Sequence, residues 1–273
     1  MNTTTAPLDG GKESRATVPA LQVMGLSKRF GGLLATSDVS FNVGDGSLTA
    51  LIGPNGAGKT TLFNLITNLF PASAGEVRLY GASLSGLSPV QIANLGLIRT
   101  FQTARVFPGM TVLENVMVGQ HRVFRPSVPS QMFWLPAACK DEHKLQERAK
   151  ALLQLVALDQ FQDAHAADLP MGAQKLLEVI RALMSRPRLL LLDEPAAGLN
   201  DTETAELAVL LKAARASGVT VLVVEHNMPL VMGIADHIIV LEAGSLIATG
   251  PPADIQRNTR VIAAYLGQEG TSV

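Results

Sequence analysis

The sequence contains one cysteine, Cys139, and only twelve aromatic residues: nine Phe, two Tyr and one Trp. A single cysteine excludes an internal disulfide framework and a cysteine-rich zinc site, and it is typical of proteins from a reducing compartment. So few aromatic side chains argue against a base-stacking surface for nucleic acid. Charged residues are also scarce, at 16%, and the formal net charge is -1, so no excess of basic residues favours a nucleic-acid partner.

Long apolar runs are absent too. The longest charge-free stretch, Leu79–Ile98, has the length of a membrane span, but glycines, serines and a proline interrupt it, and we expect no membrane-spanning helix. Residues 1–19 are rich in Thr, Gly and charge and lack the apolar segment of a signal peptide, so we expect a flexible tail there. A second tail is expected at residues 269–273. Hydrophobic residues nevertheless make up 47% of the chain, enough for a substantial core.

From Leu21 onward, short β-like runs alternate with helical periodicity, which predicts an α/β fold with a mainly parallel core sheet. The predicted strands are Leu21–Leu26, Val39–Val43, Ser47–Ile52, Glu76–Tyr80, Leu189–Asp193, Val219–Glu225, His237–Leu241 and Leu246–Thr249. The predicted helices are Lys59–Phe70, which Pro71 would stop, Asp141–Leu158, Lys175–Ser185 and Thr202–Ala216. Between about Thr103 and Leu169 the strand signals disappear, and we expect a helical subdomain inserted into the α/β core.

Residues 53–60 match the phosphate-binding pattern G-x-x-x-x-G-K-[ST] in full, between a predicted strand and a predicted helix. Glycines let backbone N–H groups turn inward around phosphate oxygens, and the positive end of the following helix points at the same anion. Lys59 is placed to reach the β- and γ-phosphates, and the Thr60 hydroxyl is placed to ligate Mg²⁺. A glycine-rich structural turn is the alternative. The matching residues are Gly53, Pro54, Asn55, Gly56, Ala57, Gly58, Lys59 and Thr60.

A buried-strand run, Leu189–Leu192, ends in Asp193-Glu194-Pro195. An aspartate at the carboxyl end of a strand beside a phosphate loop is placed to hold Mg²⁺ through water, and Glu194 is placed to orient or deprotonate an attacking water. Two solvated acids at a strand end are the structural alternative. The phosphate loop makes hydrolysis the better hypothesis.

Three further features follow in a fixed order along the chain. Leu169–Gln174 opens a helix before the acidic strand, Ala197–Asp201 forms a loop after it, and Val219–Val224 ends in Glu225-His226. Each is weak alone, but in this order and spacing the sequence resembles the ATP-binding-cassette (ABC) family from Leu21 to Gln268. The resemblance implies a single ABC ATPase domain over residues 20–268. It would combine a RecA-like P-loop NTPase core, an antiparallel β subdomain and a helical subdomain at about residues 103–170.

The same resemblance implies roles for individual residues. Gly53–Thr61 looks like the Walker A loop, Leu189–Glu194 like the Walker B strand and Leu199–Asp201 like the D-loop. Gln102 resembles the Q-loop glutamine and His226 the switch histidine. Phe30 looks like the aromatic that stacks on adenine, although a core Phe is the alternative. The implied catalytic residues are Lys59, Glu194 and His226. The implied nucleotide contacts are Phe30, all residues from Gly53 to Thr61, Gln102, Gly172 and Asp201. The implied metal contacts are Thr60, Gln102 and Asp193.

The sequence is most similar to one branch, the ATPase subunit of branched-chain amino acid importers. The segments that carry this similarity are residues 30–35 (FGGLLA), 99–102 (RTFQ), 194–200 (EPAAGLN), 225–228 (EHNM), 230–236 (LVMGIAD) and 264–267 (AYLG). Related branches carry urea, short amides or lipopolysaccharide, so the solute stays open.

This similarity implies ATP and Mg²⁺ as cofactors and a second ABC ATPase subunit, in a homo- or heterodimer. It also implies integral membrane permease subunits, an indirect periplasmic solute-binding protein, no nucleic acid, and a peripheral position at the cytoplasmic face of the inner membrane. The apolar segment Val106–Met110 is a candidate floor for a groove that receives the permease.

The family signature Leu-Ser-Gly-Gly-Gln is altered here, because Pro170 replaces the serine and Ala173 the glutamine. Proline offers neither a hydroxyl nor an N–H to a phosphate. What remains is Gly172 and the positive end of the helix that it opens. We therefore hypothesise that, of the two ATP sites in a subunit pair, the site using this signature is the slower one.

Three other classes remain as alternatives. A soluble cassette ATPase acting on DNA or ribosomes usually carries two cassettes, long coiled coils or zinc modules, whereas this chain has one phosphate loop. A GTPase or small-molecule kinase would lack the signature, D-loop and histidine set, and the Asn-Lys-x-Asp guanine motif is absent. A non-hydrolysing regulatory ATP binder would fit the altered signature, but Glu194 and His226 speak against it.

Overall fold

The computed structural model describes residues 18–100, 105–122 and 136–266, without the side chains of residues 121–122, 136–142 and 266. Gln102 and almost all of the two predicted tails lie outside this part of the chain. The strands are β1 (Leu21–Phe30), β2 (Leu33–Val43), β3 (Leu48–Ile52), β4 (Ala74–Leu79), β5 (Ala82–Ser83), β6 (Leu97–Arg99), β7 (Leu189–Asp193), β8 (Thr220–Val224), β9 (His237–Glu242) and β10 (Ser245–Gly250).

The helices alternate with these strands and cluster in the middle of the chain. They are α1 (Lys59–Ile66), α2 (Pro89–Asn94), α3 (Val112–Val118), α4 (Pro136–Gln154), α5 (Met171–Met184), α6 (Asp201–Ala216), α7 (Met228–Ile234), α8 (Pro252–Arg257) and α9 (Thr259–Leu266). Between residues 105 and 169 the described backbone is helical or irregular apart from one isolated bridge, Thr111 to His165. The loss of strands there agrees with the sequence prediction, while the subdomain limits at 103 and 170 stay predictions.

The strands form two sheets. The larger sheet has six strands in the order β10-β9-β3-β8-β7-β6. Its pairs are parallel except for β9 with β10 at one edge. The smaller sheet has four antiparallel strands in the order β2-β1-β4-β5. The carboxyl ends of β3, β7 and β8 therefore meet at one edge of the larger sheet, where ligands bind in open α/β sheets.

The larger sheet lies between two hydrophobic cores. Successive side chains of a strand point to opposite faces, and on β7 Leu190 and Leu192 join the core that contains the helical block. Leu189 and Leu191 join the other core, which includes α1 and the antiparallel sheet. The whole of β7 is buried, which explains its uninterrupted apolar sequence.

Several predicted boundaries were wrong. Helix α1 ends at Ile66 rather than at Phe70, because Asn68 adopts a left-handed backbone with φ of +50°. The Thr67 hydroxyl also donates to the Phe63 carbonyl at 2.9 Å, so the helix ends before Pro71 is reached. Strands β1 and β2 are longer than predicted because they pair with each other out to Phe30 and Leu33.

Among the residues that the structure describes, no helix is both long enough and apolar enough to cross a membrane. The charge-free stretch 79–98 instead contains the last residue of β4, all of β5 and α2, and the first two residues of β6, joined by turns and loops.

Candidate nucleotide site

The phosphate loop connects β3, which is buried between β8 and β9, to α1. Gly53 has φ of +153°, and a Cβ atom added there would lie 2.2 Å from the Leu241 carbonyl oxygen. Gly58 has φ of +95°, and its Cβ would lie 2.7 Å from the Ala35 carbonyl oxygen. The loop is therefore packed closely against β2 on one side and β9 on the other, and both positions require glycine because a side chain would not fit.

We predict that Gly53→Ala lowers the free energy of unfolding by about 1–3 kcal/mol, because the new methyl group overlaps a backbone carbonyl that cannot move aside. ATP affinity should fall with it, since the loop must shift. Thermal unfolding and nucleotide titration measure both effects.

The matched control for this substitution is Gly233→Ala in α7, where an added Cβ meets no atom within 4 Å. Its stability should stay constant or rise by up to about 1 kcal/mol, because alanine favours helix. Equal stability of the two variants would contradict the packing argument for Gly53.

Lys59 begins α1, and its side chain is buried beneath the loop. Its Nζ donates to the Gly53 carbonyl at 2.6 Å and to the Pro54 carbonyl at 3.0 Å. Burial lowers the pKa of Lys59, and the nearby carboxylates of Glu194 and Asp193 partly oppose this by raising it. The lysine therefore spans the loop and lies close to both acidic residues at the end of β7.

Asp193 ends β7 and is almost completely buried, with 4% of its surface exposed. Its Oδ2 accepts a hydrogen bond from Arg99 Nη2 at 2.8 Å, in an ion pair that is itself largely buried. Arg99 Nη1 donates to Asn64 Oδ1 at 2.6 Å. Arg99 thus connects the acidic strand to α1, and its guanidinium compensates the buried carboxylate.

Glu194 follows directly in the left-handed region, with φ of +49°. Its N–H donates to the Val224 carbonyl at 3.0 Å, which fixes the turn against β8. A residue other than glycine in this conformation is strained, and such strain is common where a side chain must be aimed. Glu194 is partly exposed, and it lines the same cavity as the phosphate loop.

This cavity has a volume of about 590 Å³. It brings Glu194 together with most of the predicted phosphate-binding residues; the lining residues are Leu33, Leu34, Ala35, Asn55, Gly56, Ala57, Gly58, Lys59, Thr60, Thr61, Glu194, Ala243 and Gly244. Phe30 is not among them. Its ring packs edge-on against Phe70, with the centroids 5.4 Å apart, and is 46% exposed.

His226 lies in the loop after β8 with its side chain exposed. The preceding residue, Glu225, is completely buried, and its carboxylate accepts hydrogen bonds from the backbone of both loops that follow β7 and β8. The loops that carry Glu194 and His226 are therefore neighbours, as expected for adjacent parallel strands.

The altered signature opens α5 as predicted, although the helix starts at Met171, earlier than Lys175. Pro170 is the N-cap residue and provides no side-chain hydrogen bond. A Cβ on Gly172 would overlap the Glu203 carboxylate at 2.2 Å, so α5 packs closely on the start of α6. The Lys175 ammonium donates to the Ala197 carbonyl, which connects α5 to the loop after β7.

Asp201 is exposed in the first turn of α6. Its neighbour Asn200 caps the helix by accepting from the Glu203 N–H at 2.9 Å, while the Glu203 carboxylate accepts from the Asn200 N–H at 2.9 Å. This reciprocal capping fixes the end of the loop that the sequence predicted there.

Sequence reasoning missed two side chains that organise the site and two segments that line it. The sequence predicts no role for Arg99, which lies in the segment RTFQ, or for Glu225, which precedes His226. The segments are Leu33–Ala35, just after the glycine pair at 31–32, and Ala243–Gly244, in the turn between β9 and β10. Arg99 could have been suspected as a charged residue at the end of a strand, but its partner Asp193 is 94 positions away.

Thr60 and Asp193 offer hydroxyl and carboxylate oxygens, the ligand types that Mg²⁺ prefers. In the part of the chain that the structure describes, no group of three or more His, Cys, Asp or Glu residues could hold a metal ion. Because Thr60 and Asp193 supply only two of the ligands that Mg²⁺ takes, phosphate oxygens and water would complete its coordination, as is usual at nucleotide sites. The residues present fit a metal that arrives with a nucleotide.

A glycine loop between a buried strand and a helix, with its lysine beside two acidic residues, defines a phosphate-loop nucleotide-binding protein. Comparison with known families narrows this class. The family model described as ABC transporter matches residues 36–197, more than half of the chain. A second model, described as branched-chain amino acid ATP-binding cassette transporter, matches residues 245–271. The chain belongs to the ABC transporter ATPase family, whose members use ATP.

Individual relatives agree with this assignment. The chain is 45% identical over 251 residues to the high-affinity branched-chain amino acid transport ATP-binding protein BraF of Pseudomonas aeruginosa, covering 92% of this chain and 98% of that protein. It is 42% identical, with the same coverage, to the corresponding LivG protein of Escherichia coli.

Among solved structures, the ADP conformation of MJ1267, an ATP-binding cassette of an ABC transporter, is similar with a TM-score of 0.78 and 32% identity. The similarity covers 92% of this chain and all of that one. The predicted family and fold class are confirmed.

Proposed function

We propose that this chain hydrolyses ATP at the Gly53–Thr61 loop to drive uptake of branched-chain amino acids through a membrane permease. The convergence of Lys59, Glu194 and the glycine loop on one cavity supports the chemical half of this proposal. The solute is supported by the likeness to BraF and LivG, whose descriptions name branched-chain amino acid transport. The matched segment at residues 245–271 supports it independently of the phosphate loop.

The triphosphate would be held by the loop amides of residues 53–61 and by the Lys59 ammonium, directed at the β- and γ-phosphates. The positive end of α1 adds to this attraction. Phe30, which pairs in the β1–β2 hairpin with the cavity residue Leu33, would stack on adenine. Leu33 and Leu34, which line the cavity, offer further apolar surface to the base or the ribose.

Thr60 and Asp193 are the proposed ligands of Mg²⁺, Asp193 through water, with Gln102 as a further proposed ligand outside the described residues. When bound with the nucleotide, the ion supplies positive charge against the phosphates. The ion pair with Arg99 fixes the orientation of the Asp193 carboxylate at the end of β7.

Hydrolysis is proposed to follow in-line attack by a water that the Glu194 carboxylate orients or deprotonates. His226 would approach the γ-phosphate from the neighbouring loop and help to hold it. Positioning and electrostatic stabilisation supply most of the rate enhancement in phosphoryl transfer, so the fixed turn at Glu194 matters as much as its carboxylate.

A second ABC ATPase subunit, identical or different, would complete each site. Gly172 and the start of α5 would contact the nucleotide bound by the partner, and Met171 beside them is 65% exposed. Asp201 is likewise exposed at the start of α6. Because Pro170 contributes no hydroxyl, we propose that the site built from this signature turns over more slowly than the other.

The permease is proposed to dock in a groove between α2 and α5. The groove has a volume of about 590 Å³, and it contains the apolar side chains of Val90, Ile98 and Phe107. Arg181 lies over the Phe107 ring at 5.2 Å. This position would place the protein peripherally at the cytoplasmic face of the membrane, where a periplasmic solute-binding protein acts only through the permease.

We predict that Val90→Asp abolishes stimulation of ATPase activity by the permease and leaves ATP affinity unchanged. Val90 is 71% exposed, so the fold tolerates a charge there, but a charge desolvated under a permease helix is costly. The matched control is Val209→Asp on α6, which is 51% exposed and outside the groove. Stimulated ATPase activity in permease-containing membranes measures the effect, and equal activity of the two variants would contradict docking in this groove.

The whole proposal is tested by uptake into proteoliposomes that contain the assembled transporter and internal ATP. We expect ATP-dependent uptake of radiolabelled leucine. Uptake of urea or a short amide instead would contradict the solute while leaving the ATPase mechanism intact. ATPase activity that membranes bearing the permease never change would favour a soluble, non-transport ATPase.

A further inference from the structure

Glu225, directly after β8, is an acidic residue with no exposed surface. A buried carboxylate is costly unless hydrogen bonds compensate it, and this one accepts three from backbone amides. Oε1 accepts from the Ala196 N–H at 2.7 Å. Oε2 accepts from the His226 N–H at 3.1 Å and from the Asn227 N–H at 3.3 Å. Within the described residues, no Lys, Arg or His forms an ion pair with it.

The three donors belong to two different loops. Ala196 lies two residues after Glu194, in the loop that follows β7, whereas His226 and Asn227 lie in the loop that follows β8. The two carboxylate oxygens are divided between these loops, so the side chain bridges them. The Glu225 backbone is itself fixed, because its N–H donates to the Leu51 carbonyl of β3 at 3.3 Å.

The bridge continues toward the signature helix. Ala197, next to Ala196, accepts a hydrogen bond from Lys175 on α5. The loop after β7 is therefore held by α5 on one side and by Glu225 on the other. A movement of α5 or of this loop at a subunit interface would be transmitted through the hydrogen-bonded Glu225 side chain to the backbone of His226.

We propose that Glu225 is a positioning residue for ATP hydrolysis. It fixes the position of the His226 backbone relative to the loop that carries Glu194. This inference rests on the proposed function, since it assigns Glu225 an effect only through His226. Glu225 contacts no nucleotide group in this scheme, so it affects turnover and not ATP affinity.

Glu225→Gln tests this with almost no change in volume. One carboxylate oxygen becomes an NH₂ group, which must face a backbone N–H in one loop or the other, so one side of the bridge is lost in either orientation. We expect kcat to fall about 10- to 100-fold through misplacement of His226, with the KM for ATP and the affinity for a fluorescent ATP analogue unchanged. Glu147→Gln, an exposed carboxylate on α4, is the matched control and should keep full activity.

A double-mutant cycle with His226→Ala separates positioning from a general structural role. If Glu225 acts through His226, adding Glu225→Gln to His226→Ala lowers kcat no further. Losses that multiply would overturn the inference, and so would normal turnover in the Glu225→Gln single variant. A loss of ATP affinity or of cooperative thermal unfolding together with turnover would also overturn it, by identifying a purely structural residue. If Glu225→Gln does not fold, Glu225→Asp, which keeps the charge on a shorter side chain, enters the same cycle under the same criteria.

The same measurements distinguish a failure of the proposed function from a failure of the inference about Glu225. A wild-type chain that hydrolyses no ATP, or a His226→Ala variant with wild-type turnover, would contradict the proposed mechanism and this inference with it. A slow His226→Ala variant combined with a fully active Glu225→Gln variant would overturn this inference alone.

Discussion

Lys59→Ala is expected to abolish ATP binding, or to lower turnover by at least roughly 100-fold. The lysine ammonium is buried beneath the phosphate loop, where it spans the carbonyls of Gly53 and Pro54. Its removal takes away the positive charge that we propose binds the β- and γ-phosphates. The repulsion between those phosphates and the nearby carboxylates of Asp193 and Glu194 would then be uncompensated. Nucleotide titration and a phosphate-release assay measure the two effects.

Lys212→Ala is the matched control for this substitution. Lys212 lies on the exposed surface of α6, and its removal should change neither ATP affinity nor turnover. The thermal unfolding midpoint of Lys59→Ala without nucleotide should also be compared with wild type, since the lysine has two hydrogen bonds within the loop. Normal ATP hydrolysis by a folded Lys59→Ala variant would remove the central residue of the proposed site.

Glu194→Gln is expected to retain ATP binding while turnover falls by at least about 100-fold, the usual contribution of a general base. Glutamine keeps the size of the side chain and can adopt the same strained turn, but it cannot accept a proton from water. Equilibrium binding of an ATP analogue and steady-state phosphate release provide the two measurements. Glu147→Gln, which makes the same chemical change on the exposed face of α4, should behave as wild type.

The same substitution tests the proposed inequality of the two ATP sites. In an assembled transporter, Glu194→Gln in this chain is compared with the equivalent glutamate-to-glutamine change in its partner subunit. Unequal losses of ATPase activity are expected, with the larger loss from Glu194→Gln in this chain, because its own phosphate loop would be completed by the partner's signature and not by the altered one. Equal losses would show that Pro170 and Ala173 do not weaken the signature.

The phosphate loop could be predicted because its chemistry is local. All of its residues lie within one short segment, and at Gly53 and Gly58 the neighbouring backbone leaves no room for a Cβ atom. The β7 strand could be predicted for a similar reason, since a strand buried on both faces has an uninterrupted apolar sequence. The acidic pair then follows at a known place, the carboxyl end of that strand.

At the end of α1, the apolar periodicity predicts a longer helix than the polar residues Thr67 and Asn68 allow. Its apolar periodicity continues to Leu69, which favoured a longer helix. The Thr67 hydroxyl and the left-handed backbone of Asn68 end it earlier. Short polar side chains that bond to nearby backbone compete with helix in this way, and periodicity does not register them.

The supporting side chains could not be predicted, because they act across long sequence separations. Arg99 meets Asp193 only after β6 and β7 have paired, and Glu225 meets Ala196 only after β7 and β8 have paired. Sequence patterns identify the residues that would touch a nucleotide through motif spacing. The residues that hold these nucleotide-contacting side chains in place do not occur at a fixed spacing from them. They can be identified only from the three-dimensional structure.

The alternation of side chains along β7 and β8 connects the central sheet to both hydrophobic cores. Each strand is anchored in one core through its odd residues and in the other through its even residues, so neither layer can slide over the sheet without bending the strands. The acidic residues at the ends of these strands, Asp193, Glu194 and Glu225, are therefore attached to the part of the fold that is packed on both faces. We therefore expect movements during ATP turnover to occur in the connecting loops and the helices. The Glu225 side chain, which bridges two of those loops, would be among the first groups that such a movement displaces.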